Sequence, residues 1–123
     1  MRPHTLVVED SAVVARALVV LLEATGHRVT VAGTGSDALA AARGQPVDLM
    51  LLDLTLPDMS GLAVLHALRA EGRAPRVTVA LTGRDEPDTK QRCLDAGCVA
   101  VLVKPVPARE LMRMVSEWGR QGG

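Results

Sequence analysis

Apolar and polar positions along this chain fall into blocks of two kinds, short continuous apolar runs and longer stretches with helical spacing. Thr5 to Val8, Arg28 to Ala32, Val47 to Asp53, Arg76 to Leu81 and Val99 to Val103 are runs of strand length. Leu49-Met50-Leu51-Leu52 is wholly apolar, the pattern of a strand buried on both faces. Between the runs lie helices. Ala12 to Thr25 carries Val14, Leu18, Leu21 and Leu22 on one stripe and Val13, Ala17, Val20 and Ala24 on a second. Small residues of this kind serve core packing, and a second apolar face also suits a docking surface. Further helices are read from Ser36 to about Arg43, from Met59 or Ser60 to Glu71, and from the acidic Asp85–Asp88 turn to Ala96. A last helix opens at Pro107 or Ala108 and carries Leu111, Met114, Val115 and Trp118. Gly26, Gly72 and Gly97 stand where three of these helices should stop.

Strand and helix alternate five times. That order predicts an α/β fold, a five-stranded parallel sheet covered by helices on both faces and wound with right-handed crossovers. Ligands of such sheets sit outside the carboxyl ends of the strands. The 123 residues suit one domain, read as 1–118 with a flexible tail at 119–123.

Composition narrows the function. The chain is 48% hydrophobic but has no Phe, Tyr or Ile and one Trp, so aliphatic side chains must fill the core. Its formal charge is zero and no basic stripe is present, which argues against direct binding of nucleic acid. No apolar stretch reaches membrane-spanning length, and a cytoplasmic protein is expected. Cys93 and Cys98 have no neighbouring His and read as small buried side chains in a reduced compartment. The cations are twelve Arg and two Lys, so Lys104 at a strand end is unlike its surroundings.

The chemistry is concentrated at the strand ends. The first strand leads into Glu9 and Asp10, the third ends in Asp53, the fourth in Thr82 and the fifth in Lys104. A carboxylate at the end of a buried strand is costly unless paired or metal-bound. Three carboxylates on one edge cannot all ionise unaided. Lys104 offsets one of them, and a hard divalent cation suits the rest. Mg²⁺ binds through one or two carboxylates together with water and phosphate oxygens. A carboxylate can itself act as the nucleophile and form an aspartyl phosphate, with Thr82 and Lys104 on the phosphoryl oxygens.

Glu9-Asp10-Ser11, Asp53 with Leu56-Pro57 and Ser60-Gly61, Leu81-Thr82-Gly83, Ala96-Gly97 and Lys104-Pro105 resemble the receiver domain of two-component response regulators, chemotaxis regulators among them. The resemblance runs from Thr5 to Trp118. It implies strand order 2-1-3-4-5 in a flavodoxin-like fold. It also implies that Asp53 takes a phosphoryl group from the phosphohistidine of a sensor histidine kinase or phosphotransfer protein. Asp10 and Asp53, with the Thr55 backbone carbonyl, would hold Mg²⁺ or Mn²⁺, and Glu9 would act through water. Thr82 and Lys104 would contact the phosphoryl group, and the Lys104–Pro105 peptide would be cis. The signal would pass to a downstream protein by contact, with no membrane or nucleic acid involved. The same resemblance admits a receiver from a hybrid histidine kinase, or a receiver that is never phosphorylated. The position of the family's switch aromatic, three residues before the lysine, holds Val101, so aromatic switching there is impossible. Pro107 delays the last helix. The resemblance also implies that Arg84 and Thr55, each two residues past a site residue, stand at positions the family uses to tune phosphoryl lifetime, and Arg84 is expected to shield the group.

Other readings compete less well. Gly33-Thr34-Gly35 to Ala38 mimics a dinucleotide-binding turn, but it follows the second strand and is read as structural. A flavin module would want aromatics and a phosphate loop where Glu9-Asp10 stands. A phosphatase of the aspartyl-phosphate type would want an Asp where Thr55 stands. His4, His27 and His66 are scattered, without a catalytic arrangement.

Overall fold

The computed structural model describes residues 2–121. Five strands alternate with five helices. The strands are β1 (His4–Val8), β2 (Arg28–Ala32), β3 (Leu49–Asp53), β4 (Val77–Thr82) and β5 (Ala100–Val103). The helices are α1 (Ala12–Ala24), α2 (Gly35–Gly44), α3 (Gly61–Ala70), α4 (Pro87–Asp95) and α5 (Ala108–Gln121). All pairings are parallel and the sheet order is β2-β1-β3-β4-β5. This is the expected fold.

Strand pleating sorts the core into two halves. Leu6, Val8, Met50, Leu52 and Ala80 point to the face covered by α2, α3 and α4. Val7, Leu49, Leu51, Val79 and Leu81 point to the face covered by α1 and α5. β1 and β3 are buried along their whole length, as the continuous apolar run of β3 required. On α1, Leu18 and Leu22 are buried, whereas Val13 and Val20 of the second stripe face solvent. Trp118 packs against the half-core that contains Leu102 of β5.

Helix starts follow local chemistry. The side chains of Ser11, Thr34 and Ser60 accept hydrogen bonds from the backbone N–H groups of Val14, Asp37 and Ala63. Gly26, Gly72 and Gly97 follow helix ends at positive φ, as their positions suggested. β3 begins at Leu49 rather than Val47, and α5 begins at Ala108, after Pro107. α5 also runs on to Gln121, so residues 119–121, expected in a loose tail, are helical. Gly122 and Gly123 of that tail lie outside the described residues.

Candidate functional site

β1, β3, β4 and β5 are adjacent and parallel, so their carboxyl ends meet at one place. Asp53, the last residue of β3, is only 4% exposed. Its Oδ1 accepts the Thr55 backbone N–H at 3.0 Å and its Oδ2 accepts from Lys104 Nζ at 3.0 Å. Glu9, just past β1, is 2% exposed. Its Oε2 accepts the Ser11 N–H at 3.1 Å, and its Oε1 lies 2.6 Å from Lys104 Nζ. The second approach is a short ion pair, with the Lys104 ammonium as the neighbour of Glu9 Oε1.

Lys104 therefore bridges two buried carboxylates. Burial works against its charge, but pairing with Glu9 and Asp53 outweighs burial and holds its pKa above the usual lysine value. Glu9 moves the other way for a carboxylate. Burial raises its pKa, and the Lys104 and Ser11 contacts recover only part of that cost.

Asp10 is exposed, unlike Glu9 beside it, because β1 ends at Val8 and the chain then turns outward into α1. Glu9, Asp10 and Asp53 nonetheless each bring one carboxylate oxygen within 4.8 Å of the others. Three carboxylates against one ammonium leave two uncompensated negative charges. All the donors are hard oxygens, and Lys104 is shared between Glu9 and Asp53. That set fits a hard divalent cation better than it fits an empty polar cluster.

Thr82 ends β4 and is buried, but its hydroxyl does not reach Asp53. It donates to the Arg84 carbonyl and accepts the Arg84 N–H, both at 3.2 Å, closing a small turn. The Arg84 side chain is 83% exposed, and its guanidinium lies 3.5 Å from a Glu86 carboxylate oxygen. Both residues line a cleft of about 400 Å³ that includes Thr55, Ser60, Leu62 and Arg92. The Lys104–Pro105 peptide is cis.

The family model for the response regulator receiver domain matches residues 5–116. The chain belongs to the response regulator receiver domain family. The transcriptional regulatory protein KdpE of Mycobacterium tuberculosis is 40% identical over 107 residues, 87% of this chain and 46% of KdpE. The receiver domain thus spans about half the length of the curated relatives it matches. Among solved structures, the receiver domain of Francisella response regulator 1452 superposes with a TM-score of 0.91 at 25% identity, covering 99% of this chain and 100% of that one. The receiver domain of the Pseudomonas aeruginosa sensor histidine kinase PA1611, described with a magnesium ion in its active-site cleft, superposes with a TM-score of 0.84 at 31% identity over 96% and 98% of the two chains.

The receiver fold also settles the dinucleotide-like turn. The N–H groups of Gly35 and Ser36, which would cradle a phosphate, are taken by the Asp58 carboxylate at 2.8 and 3.0 Å. Sequence reasoning did not find this contact. The pair is 23 residues apart, and an Asp in a Pro-containing loop carries no periodic signal. No described helix is long and apolar enough to cross a membrane.

Proposed function

We propose that this receiver domain takes a phosphoryl group onto Asp53 from the phosphohistidine of a sensor histidine kinase or phosphotransfer protein, and signals by protein contact. The observation that carries the reading is the Asp53 carboxylate held between the Lys104 ammonium and the Thr55 N–H, beside two further acids. In the transfer, a carboxylate oxygen of Asp53 forms a P–O bond as the P–N bond of phosphohistidine breaks. The imidazole nitrogen keeps the electron pair. Later attack by water on phosphorus releases phosphate and restores the carboxylate.

Asp10 and Asp53, with the Thr55 carbonyl, would hold Mg²⁺ or Mn²⁺, and Glu9 would support it through water. When bound, that ion supplies positive charge for the phosphoryl oxygens. The chain's own residues do the rest. Lys104 holds the Asp53 oxygen in place and carries charge to the phosphoryl group. The Thr82 hydroxyl would exchange its bonds to Arg84 for a phosphoryl oxygen. Arg84 lines the same cleft as Thr55 and Thr82 and would shield the aspartyl phosphate from water.

The exposed apolar face of α1, with Val13 and Val20, supports recognition by a protein partner. KdpE is a transcriptional regulator by name, but this chain has no charge excess and its own output is read as protein contact. A second reading, the receiver of a hybrid kinase, draws on the 31% identity to the receiver of the sensor histidine kinase PA1611, a lower identity than the 40% to KdpE. The test is intact-mass measurement after incubation with acetyl phosphate and Mg²⁺. One phosphoryl adduct is expected, absent from Asp53→Asn. No adduct on the parent chain overturns the proposal in favour of a receiver that is never phosphorylated.

A further inference from the structure

The segment from Leu54 to Ser60, between β3 and α3, forms a closed arch. At its base the Gly61 N–H donates to the Leu54 carbonyl at 2.9 Å, and Thr55 and Ser60 form an antiparallel bridge. The closure is tight. A Cβ on Gly61 would stand 2.3 Å from the Asp53 carbonyl oxygen. One side of the base is Thr55, whose N–H binds Asp53 Oδ1. Thr55 itself is exposed, so side-chain packing does not fix its peptide. Its direction depends on how the arch is held.

The far end of the arch is held by α2. Asp58 places one carboxylate oxygen on the Gly35 N–H and the other on the Ser36 N–H. These are two N–H groups of the first helical turn, which the helix cannot satisfy itself. The cap residue of α2, Thr34, serves a different one, that of Asp37. The Gly35 and Ser36 bonds hold the Asp58 pKa below the usual carboxylate range, so the contact is charge-assisted at neutral pH. An apolar contact reinforces it. Met59 covers Gly35 so closely that a Cβ there would lie 2.3 Å from Met59 Cγ.

We infer that Asp58 is a positioning residue for the phosphoacceptor site. It anchors the arch to α2 and thereby sets the direction of the Thr55 peptide, whose N–H orients Asp53 and whose carbonyl is assigned to the divalent ion. This rests on the proposed function for the role of the ion, and on the structure alone for the link between Asp58 and Thr55. A residue that only stabilised α2 would act on the helix and leave the Thr55 peptide untouched.

The test compares Asp58→Ala, Asp58→Asn and Thr34→Ala. Thr34→Ala weakens the same helix start without touching the arch. The first readout is hydrogen exchange of the Thr55 amide in metal-free protein. Asp58→Ala should speed that exchange, Asp58→Asn should do so less, and Thr34→Ala should leave it as in the parent. The second readout is Mg²⁺ affinity by calorimetry, expected to fall about tenfold in Asp58→Ala, in the range seen when groups supporting metal ligands are removed. Partial rescue by Asn is expected, since it keeps an oxygen acceptor but loses the charge.

Thr55 exchange and Mg²⁺ affinity unchanged in Asp58→Ala would overturn the inference. So would equal losses in Thr34→Ala. If Asp58→Ala does not fold, the same comparison is decided by Asp58→Asn. A parent chain that forms no phosphoryl adduct defeats the functional reading instead, and the Thr55 exchange experiment still decides the role of Asp58.

Discussion

Lys104 Nζ stands 3.0 Å from Asp53 Oδ2, a contact between strand ends 51 positions apart in the chain. The two residues meet because β4 lies between β3 and β5 and all three end on the same edge. Each group lowers the cost of burying the other, and Glu9 shares the same ammonium.

Replacing Lys104 by Ala should leave Glu9 and Asp53 facing each other without a counter-charge. Removing one partner of a buried ion pair costs about 3 kcal/mol or more, and the half-buried position of Lys104 places this case at the low end. Urea denaturation without divalent ion should show the loss, and added Mg²⁺ should recover part of it by binding the folded state only. Lys104→Ala should also form the phosphoryl adduct more slowly than the parent at saturating Mg²⁺. An unchanged urea midpoint would mean that the pair contributes nothing to the fold.

Gly61 tests how tightly the arch closes on Asp53. A Cβ there would meet the Asp53 carbonyl oxygen at 2.3 Å and the Leu54 Cα at 3.0 Å, both backbone atoms that cannot swing away. Gly61→Ala should destabilise the domain by about 1–3 kcal/mol and slow adduct formation on Asp53. Gly33→Ala is the comparison, since a Cβ at Gly33 meets nothing within 4 Å. Its melting temperature should stay close to that of the parent. Equal behaviour of the two variants in thermal melts would refute the close approach.

His27 makes stability depend on pH at the end of the sheet opposite the phosphoacceptor. It is buried, and its Nδ1 lies 2.7 Å from the Thr5 hydroxyl. Burial lowers its pKa, and the negative charge of Asp48 offsets only part of that. The folded protein therefore resists a proton that the unfolded chain accepts at about pH 6.5. Its contribution is complete above that value and is lost as pH falls from about 6.5 toward the lowered folded value, by up to about 1.4 kcal/mol per pH unit. Urea titrations at about pH 7.5 and about pH 5.5 should show a smaller drop in His27→Asn than in the parent. Identical drops would remove His27 as the source.

Cys93 and Cys98 should be chemically silent in the folded protein. Both are free and buried. Burial raises both thiol pKa values, and with Cys93 beside it the Cys98 thiol is pushed up to about 12. Almost no thiolate, the reactive form, exists at neutral pH. Ellman's reagent should report both thiols in denaturant and neither within minutes in native buffer. Rapid native reaction of either would show that the α4–β5 turn opens far more often than its packing indicates.

The sequence by itself determined the elements, their parallel arrangement and the set of groups delivered to one edge. Those features are local. A run such as Leu49–Leu52 has no polar residue to spare for solvent, and a helix stop such as Gly97 needs only its own backbone. Glu9, Asp10, Asp53, Thr82 and Lys104 were legible for the same reason, since each follows or ends an apolar run. Tertiary structure decided how those groups are used. Glu9 and Asp10 are neighbours, yet one is buried against Lys104 and the other exposed, because the direction of the chain past Val8 depends on how α1 packs. The Thr82 hydroxyl bonds Arg84 rather than Asp53, a choice of rotamer set by the turn around it. Asp58 was invisible in the sequence as a partner of α2. Its two donors are backbone N–H groups, which every residue but proline carries, and only folding brings the unpaired ones within reach.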